Sequence, residues 1–424
     1  MDGLKVCVIG GGSTYTPELV EGFIARRKEL PVSRIALMDI DEGKLEIVGR
    51  LAKRMIERAG LQTEIELTTD RKKAVEGADF IITQIRVGGI PARIRDERIP
   101  LEFGVIGQET TGPGGFAKAL RTIPVILDIA RDIERLAPNA WLINFTNPSG
   151  IITETLLKHS RVNAIGLCNV PIGMIRSLAS KFEVKPEDVV LTYVGLNHLS
   201  WVTRVSVRGK DVTKEAVEKA AAGRSEEDAA WMREYGMIPN GYLHYYYARD
   251  KVVEDQKKAE KTRGEIVQGV EAGLLKKYEN PRLRRKPKLL EKRGGAHYST
   301  AAVSLASAIH NDKKELHIVN VRNQGTITCL PYECAIETNC IVDGQGVHPL
   351  GIGDVPLEIR GLLQAVKAYE ELTVKAGVEG SRKAALQALV THPLVPSFSV
   401  AKALLERILE ANRDFLPQFR PRRR

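Results

Sequence analysis

A glycine-rich turn lies near the start of the chain, between a strand pattern and a helix pattern. The apolar run 5–9 predicts a buried strand, and helical spacing begins at about Thr16. Gly10 and Gly12 would let backbone N–H groups approach a pyrophosphate at the helix N-terminus. The turn therefore predicts a dinucleotide site; the alternative is a tight strand–helix turn beside a surface aspartate.

The aspartate is Asp39, which ends the second predicted strand, where a ribose hydroxyl would lie. Its charge would repel a 2′-phosphate and so favours NAD over NADP. Tyr15 replaces the third glycine of the usual pattern, and the match is incomplete to that extent. The residues that we assign to cofactor binding are Gly10, Gly12, Ser13, Thr14 and Asp39.

One cysteine and one histidine could provide metal ligands. Cys168 follows a predicted strand and precedes a helix that begins near Pro171, and a thiol at a helix N-terminus has a lowered pKa. His198 lies between two predicted strands, beside Gly195. Such a pair suits zinc or iron as well, so it does not select a metal. The structural alternative is a buried free cysteine and a hydrogen-bonded histidine.

Other polar groups have no evident structural duty. Asn147 follows a predicted strand and could bind substrate hydroxyls, or form a turn before Pro148. The glycine-rich segment 107–115 is either an active-site loop or simply a mobile one. Residues 242–247 include four tyrosines, some of which a helix would turn into the core. Arg263 could hold a phosphate, although a solvated arginine is the ordinary interpretation.

The elements that must position these groups alternate in the first half of the chain. Buried strands are expected at 5–9, 34–39, 64–68, 80–85, 141–145 and 164–168, with helices between them. This order indicates right-handed βαβ units and a mostly parallel sheet, whose carboxyl edge is where ligands bind. The prediction is an α/β protein with an N-terminal Rossmann-like, doubly wound domain.

The second half has a different pattern and predicts a mixed α+β domain. Antiparallel strands are expected at 189–194 and 199–207, a hairpin at 318–321 and 326–330, and another strand at 334–342. Helices are expected at 212–247, 250–277, 356–376 and 381–389. We therefore predict an NAD-binding domain over 1–170 and a domain for catalysis, substrate binding and oligomerisation over 171–424.

The composition is that of a soluble globular protein, with 43% hydrophobic and 27% charged residues. The sequence has no run of about 18 apolar residues, so no membrane-spanning helix is expected. The first residues lack the features of a signal peptide, which predicts a cytoplasmic protein. An odd number of cysteines, five, with no Cys-x-x-Cys pair, predicts neither a disulfide framework nor a zinc knuckle.

The chain is basic, with 63 Lys and Arg residues against 53 Asp and Glu and a net charge of +10. Much of the excess lies at 282–293 and 420–424, without interleaved aromatic residues. Solvated basic faces are therefore favoured over a nucleic-acid-binding protein, and no nucleic-acid partner is expected. Attraction of anionic substrates is a further interpretation of the charge.

Together the motifs resemble glycoside hydrolase family four, over about residues 5–389. The motifs that carry the resemblance are Ile9-Gly10-Gly11-Gly12-Ser13, Gly107-Gln108-Glu109-Thr110, Thr146-Asn147-Pro148, Cys168-Asn169-Val170-Pro171, Gly195-Leu196-Asn197-His198, Asn240-Gly241-Tyr242 and Thr262-Arg263. Members of that family resemble lactate and malate dehydrogenases in fold. They hydrolyse glycosides with NAD+, a divalent metal, commonly Mn2+, and often a reductant. The resemblance implies these cofactors here, and a homodimer or homotetramer.

The resemblance also implies a redox-elimination route. NAD+ oxidises C3 of the sugar, a base removes the C2 proton, the leaving group departs from C1, water adds, and the ketone is reduced again. On this basis Cys168 and His198 are metal ligands and Tyr242 is the base, although another tyrosine of 242–247 could serve. The residues implied in substrate binding are Asn147, Arg93, Glu109, Asn169 and, for the 6-phosphate, Arg263.

The residue after Cys168 divides the family. Members that act on α-linked phosphoglucosides tend to have Cys-Asp-Met-Pro, and those that act on α-galactosides or glucuronides tend to have Cys-His. The sequence Cys168-Asn169-Val170-Pro171 resembles the 6-phospho-β-glucosidase pattern, which implies a phosphorylated disaccharide such as cellobiose 6-phosphate as substrate. The alternatives are a 6-phospho-α-glucosidase, another glycosidase of the family, a plain NAD-dependent 2-hydroxy acid dehydrogenase, or a nucleic-acid-binding protein without turnover.

Overall fold

Strands and helices alternate through the first part of the computed structural model, which describes residues 3–293 and 298–420. The elements there are β1 (Leu4–Ile9), α1 (Thr16–Ala25), β2 (Val32–Met38), α2 (Glu42–Arg58), β3 (Glu64–Thr68), α3 (Arg71–Val75), β4 (Phe80–Thr83), α4 (Gly89–Glu102), α5 (Gly112–Leu136), β5 (Trp141–Asn144), α6 (Ser149–His159), β6 (Asn163–Gly166) and α7 (Val170–Lys181).

The second part begins with short strands and short helices and ends in long helices. Its elements are β7 (Val189–Leu196), β8 (Leu199–Val207), β9 (Lys210–Asp211), α8 (Thr213–Ala221), α9 (Glu226–Tyr235), β10 (Ile238–Pro239), α10 (His244–Tyr247), α11 (Arg249–Lys258), α12 (Arg263–Tyr278), α13 (Tyr298–His310), β11 (Glu315–Arg322), β12 (Ala335–Asp343), β13 (Gly346–Pro349), α14 (Leu357–Glu379), α15 (Arg382–Thr391) and α16 (Phe398–Asn412).

The principal sheet has the strand order β13-β12-β11-β6-β5-β4-β1-β2-β3. All pairs from β6 to β3 are parallel, and β1 lies between β2 and β4. The chain therefore winds outward in both directions from β1, which is the Rossmann-like order, and the crevice at this reversal is where ligands bind in such sheets. The predicted fold class is confirmed.

Residues from the second part extend the same sheet. β11 joins β6 in antiparallel orientation through Asn320 and Gly166, and β12 and β13 continue outward. One core of buried apolar side chains runs from β1 to α16. The division into domains at residue 170 stays a prediction, and the principal sheet continues across it.

A smaller antiparallel sheet is formed by β7, β8, β9 and β10. Leu196 pairs with Leu199, so Asn197 and His198 form the two-residue turn of the β7–β8 hairpin. His198 has a φ of 63°, in the left-handed region, and the neighbouring Gly195 has a φ of 146°. A side chain at Gly195 would overlap the carbonyl oxygen of Leu199. The glycine thus lets the hairpin close tightly behind the histidine.

Two predicted helices are wrong in their extent. The segment 212–247 is interrupted, because Gly223 and Gly236 adopt positive φ values of 81° and 63° after α8 and α9. Segment 250–277 is divided between α11 and α12. Thr262 and Glu265 form a capping box that begins the second of these helices.

The predicted hairpin of 318–321 with 326–330 is also wrong. β11 pairs with β12, and residues 326–330 form a loop between them. The Asn323 side chain donates to the carbonyl oxygens of Ile327, Leu330 and Pro331, at 3.0–3.1 Å, and so folds the segment on itself. The sequence patterns also did not predict α16.

No helix among residues 3–293 and 298–420 is long and apolar enough to cross a membrane. Most of the basic side chains of 282–293 lie on the surface, as expected of a solvated face, and Arg293 is an exception with a side chain that is only 10% exposed. The basic residues 421–424 lie outside the described residues.

Candidate active site

The glycine turn between β1 and α1 packs tightly against the strands beside it. Gly10 has a φ of 93°, and a Cβ there would lie 2.9 Å from the Gln84 carbonyl oxygen. A Cβ on Gly12 would lie 3.0 Å from Oδ2 of Asp39, which also accepts a hydrogen bond of 2.9 Å from the Gly12 N–H. The structure thus brings the turn and Asp39 together, while the buried hydroxyl of Thr14 has no protein partner. A cradle of this kind, with an unpartnered hydroxyl, fits a dinucleotide.

Two residues from the second part of the chain cover this turn. The Tyr278 hydroxyl donates to the Thr14 carbonyl oxygen at 2.8 Å, and the Arg293 guanidinium lies 4.2 Å from the Tyr15 ring centroid. Arg293 is the last residue of a basic segment. The composition of that segment does not distinguish Arg293, which lies at the turn, from the solvated basic residues before it. Sequence reasoning missed this residue.

Cys168 and His198 are both buried, at 3% and 6% exposure, and reach the site from different sheets. Cys168 follows β6 of the principal sheet and receives a hydrogen bond of 3.5 Å from the Val170 N–H at the start of α7. Burial raises the pKa of the Cys168 thiol, so the lowered pKa expected from its place at a helix N-terminus is wrong. A thiolate here therefore requires a nearby positive charge, such as a divalent cation.

The hydrogen bonds of His198 define which of its nitrogens can bind a ligand. Thr110 donates its hydroxyl hydrogen to Gln108 at 2.8 Å and lies 3.1 Å from Nδ1 of His198. The Thr110 oxygen therefore accepts from Nδ1–H, which leaves the lone pair on Nε2. Burial, together with the charge of Lys118, lowers the pKa of His198 to about 3, and the neutral form is the one that binds metals.

Tyr242 lies directly on His198. The two rings are 3.6 Å apart between centroids and inclined by only 6°. Burial raises the pKa of Tyr242, and negative charge on Cys168 raises it further. The phenol is thus close to both potential metal ligands and is not a base until positive charge enters the site.

The other tyrosines of 242–247 point elsewhere. Tyr245 interacts with Gln108, and its ring centroid is 5.9 Å from that of Tyr242. Tyr246 is stacked beside His392, and Tyr247 is stacked on Trp231, with 4.5 Å between the centroids. Of the four, only Tyr242 has a ring contact with His198 among the described residues.

Glu109 is buried in a cluster of three cations. Arg93 lies 3.0 Å from Oε1 of Glu109, Lys118 lies 2.9 Å from Oε2, and Arg86 forms a short ion pair with the same carboxylate. Burial opposes the charged form of Glu109, but these cations hold its pKa well below the usual range. Burial lowers the pKa of Lys118 to about 7. This cluster carries net positive charge and suits an anionic ligand.

Sequence reasoning identified Arg93 and Glu109 in this cluster but missed Arg86 and Lys118. Arg86 follows β4 by three residues, at the carboxyl edge of the sheet, and that position was the available signal. Lys118 lies inside α5, where it is 3% exposed, and neither its spacing nor its neighbours distinguish it in the sequence.

The two asparagines lie after neighbouring strands. Asn147 follows β5, and its Oδ1 is buried without a protein partner, although its amide nitrogen lies 3.4 Å from the Phe145 carbonyl oxygen. Such an acceptor suits a ligand hydroxyl. Asn169 precedes α7 directly, next to Cys168, so the predicted neighbourhood of Cys168, Asn169 and Asn147 exists at the edge of the sheet.

Arg263 is not in the buried cluster. It is exposed at the first position of α12 and donates to the Lys292 carbonyl oxygen at 2.8 Å. The next residue, Gly264, donates to Glu97, which also accepts from Arg93, so Arg263 stands at the rim beside α4. Its charge acts on Tyr15, which places it between the glycine turn and the cation cluster.

The protein side chains at the centre of the site can supply only part of the coordination shell of a metal ion. Among the described residues no group of three or more His, Cys, Asp or Glu side chains could hold an ion. Cys168 and His198 supply a thiol and an imidazole with a free Nε2, and oxygen atoms from a substrate would have to complete the coordination. Open coordination positions are where a catalytic metal binds its substrate.

Comparison with known proteins identifies relatives over nearly the whole chain. The family models described as "Family 4 glycosyl hydrolase" and "Family 4 glycosyl hydrolase C-terminal domain" match residues 5–184 and 193–395. The chain is 48% identical to a probable 6-phospho-beta-glucosidase of Bacillus subtilis, covering 98% of each chain. It is 41% identical to the 6-phospho-beta-glucosidase of Escherichia coli, covering 98% and 97%. Identity to the phospho-alpha-glucosidase of Clostridium acetobutylicum is 32%.

The fold also matches solved structures. The 6-phospho-beta-glucosidase of Thermotoga maritima, solved with NAD and glucose-6-phosphate, has a TM-score of 0.93 at 40% identity, covering 98% of this chain and 99% of that one. A second structure of that enzyme contains manganese as well, with a TM-score of 0.92. The lactate dehydrogenase of Eimeria maxima, at 17% identity and a TM-score of 0.53, shares the fold.

Proposed function

The chain belongs to family 4 of the glycosyl hydrolases, and we propose that it hydrolyses 6-phospho-β-glucosides such as cellobiose 6-phosphate. The observation that carries this proposal is the stack of Tyr242 on His198, within electrostatic reach of Cys168. This stack supports a site in which the proposed base, Tyr242, acts beside the two proposed metal ligands. The preference for β-linked substrates is supported by 41–48% identity to the β-specific relatives named above, against 32% to the α-specific one.

The cofactors are NAD+ and a divalent metal, Mn2+ in a related enzyme. When bound, NAD+ accepts a hydride from C3 of the sugar, and the metal polarises the neighbouring sugar oxygens. Gly10, Gly12, Ser13, Thr14 and Asp39 would hold the dinucleotide, and Cys168 and Nε2 of His198 would hold the metal. The thiol and the neutral imidazole suit such an ion.

The chain's own groups then move protons and orient the sugar. Tyr242 takes the proton from C2, and departure of the aglycone from C1 follows. Asn147 accepts a hydrogen bond from a sugar hydroxyl through its unpartnered Oδ1. Asn169 has no acidic proton, so the departing oxygen takes its proton from water.

The anionic end of the substrate is expected at the cationic side of the site. Arg93, fixed by Glu97 and Glu109, lines this side, and Arg263 stands at its rim. A buried and an exposed basic group, joined through Glu97 and the neighbouring Gly264, support recognition of a 6-phosphate. We also propose a cytoplasmic homodimer or homotetramer, supported by five unpaired cysteines and by exposed apolar side chains at Tyr332, Leu357 and Phe398.

The test is release of p-nitrophenol from the β- and α-linked glucoside 6-phosphates, with and without NAD+, Mn2+ and a thiol reductant. The β-linked substrate should be cleaved only when NAD+ and Mn2+ are both present, and no net NADH should accumulate. Preferential cleavage of the α-linked substrate would reassign the specificity. Accumulation of NADH in step with product would indicate a plain dehydrogenase.

A further inference from the structure

Glu337, on β12, is a buried carboxylate with neutral partners. Its Oε1 accepts hydrogen bonds from the side-chain amides of Asn197, at 3.1 Å, and Asn320, at 2.9 Å. Its Oε2 accepts from the Tyr193 hydroxyl at 3.1 Å. The side chain is fully buried, so water does not offset its charge.

In this respect Glu337 differs from the other buried carboxylates. Eight Asp and Glu side chains are buried in the described part of the chain, and seven of them form ion pairs with Lys or Arg. The buried Lys367 forms ion pairs with Glu154 and Glu370, each at 2.6 Å, and not with Glu337. Glu370 adds to the negative charge around Glu337, and burial raises the pKa of Glu337 to about 7. A buried charge of this kind calls for a positive partner.

The hydrogen-bond donors to Glu337 lead to the proposed metal ligands. Asn197 precedes His198 in the hairpin turn, and its side chain also hydrogen-bonds the Cys168 sulfur. Asn320 pairs with Gly166, two residues before Cys168. The Asn197 side chain thus hydrogen-bonds both the Glu337 carboxylate and the thiol. Carboxylates that are hydrogen-bonded around a metal site in this way orient the groups that bind the metal.

We propose that Glu337 is a positioning residue of the metal centre. Its negative charge balances a divalent cation held by Cys168 and His198, and Asn197 joins the carboxylate to the thiolate. The inference rests on the metal site of the proposed function.

The substitution Glu337→Gln removes the negative charge but keeps the shape of the side chain. Its amide oxygen can accept from Asn197 and Asn320, and its NH2 group can donate to the Tyr193 hydroxyl. Tyr193 can then donate to Ser200, whose Oγ lies 2.6 Å away. The bonds from Asn197 and Asn320 thus keep their direction, and only the bonds of Tyr193 with residue 337 and with Ser200 are reversed. A purely structural role for Glu337 would therefore survive this substitution.

The experiment is titration of EDTA-treated enzyme with MnCl2 at mildly alkaline pH, with free Mn2+ followed by electron paramagnetic resonance and without substrate. Glu337→Gln should raise the Kd for Mn2+ by roughly 10–100-fold, the range for outer-shell partners. The Kd for NAD+ should stay at the wild-type value, and the melting temperature in EDTA should not fall, because the substitution removes a buried charge that has no cationic partner without the metal. A Kd for Mn2+ within twofold of wild type would overturn the proposal.

Tyr193→Phe, which keeps the carboxylate and its contact with Asn197, is the matched control. It should keep the Kd for Mn2+ within about threefold of wild type, well short of the outer-shell loss. A loss of tenfold or more in this variant would overturn the proposal, and this comparison stands even where Glu337→Gln does not fold. Cys168→Ser shows whether a negative result concerns the metal site as a whole or only the role of Glu337. Wild-type Mn2+ affinity in that variant overturns the metal site itself, whereas affinity lost there and kept in Glu337→Gln overturns only the role of Glu337.

Discussion

Tyr242 acquires its proposed role from its contact with His198, because residue type alone does not separate it from three neighbouring tyrosines. A phenol in a buried site has a raised pKa and is a weak base. A cation bound to the stacked histidine would lie close enough to favour the phenolate. The base and the metal site are therefore one electrostatic unit, and neither is expected to work without the other.

Tyr242→Phe should lower kcat by roughly 10²–10⁴-fold, the usual contribution of a positioned base. The Kd values for NAD+ and Mn2+ should change little, because the ring and its stack remain. Steady-state assays and binding titrations check this. Tyr247→Phe, whose ring packs on Trp231, is the matched control and should retain activity. More than a tenth of wild-type kcat in Tyr242→Phe would point to another base.

His392 makes stability depend on pH independently of the proposed chemistry. Its Nδ1 accepts from the Leu394 N–H at 3.1 Å, and burial lowers its pKa to about 3. The unfolded chain takes up a proton near the ordinary value of 6.5, so this contribution to stability is present above 6.5 and is lost as pH falls towards 3.

His392→Asn keeps an acceptor for the Leu394 N–H but removes the titrating group. Between pH 7 and pH 5 the wild type should lose about 2 kcal/mol more unfolding free energy than the variant. Urea denaturation at the two pH values measures the difference. Equal losses in both proteins would show that His392 is not kept neutral by the fold.

At the scale of elements, sequence patterns predicted the structure best where it depends on a single strand or a single turn. The glycine turn, Asp39 and the strands of the parallel sheet follow local rules of apolar runs and turn residues. The loop 326–330 does not, because its apolar residues suit a strand, whereas the side chain of Asn323 and backbone hydrogen bonds to Gly353 fold them away. Arg86, Lys118 and Arg293 join the site through packing between distant elements, which local patterns do not encode.

The junction of α6 and α14 depends on a buried ionic group. Lys367→Met keeps the length of the side chain but leaves Glu154 and Glu370 facing each other without the lysine that now lies 2.6 Å from each. Breaking such a buried group should lower the unfolding free energy by about 3–5 kcal/mol, measured by urea denaturation.

The control for that substitution is Arg382→Met. Arg382 pairs with Glu406, but both side chains are more than half exposed, so water screens the pair. A change within about 1 kcal/mol is expected there. Similar effects of the two substitutions would contradict the distinction between a buried and an exposed ion pair.

For the whole molecule, the site requires both parts of the chain. The first part supplies the glycine turn, Asn147 and Cys168, and the second supplies His198 and Tyr242. The β7–β8 hairpin carries His198 to the crevice of the Rossmann-like sheet, where a dehydrogenase fold would bind its cofactor. In the proposed mechanism, redox chemistry and proton abstraction would therefore act on adjacent carbons of one bound sugar.

This arrangement predicts the isotopic outcome of turnover. When the β-linked glucoside 6-phosphate is cleaved in D2O, the proton taken by Tyr242 exchanges with solvent, so the glucose 6-phosphate formed should carry deuterium at C2. Mass spectrometry and NMR of the product measure this. Glucose 6-phosphate incubated with the enzyme for the same time controls for exchange after cleavage. A product that retains its original hydrogen at C2 would exclude elimination, and the stack of Tyr242 on His198 would then need a different chemical explanation.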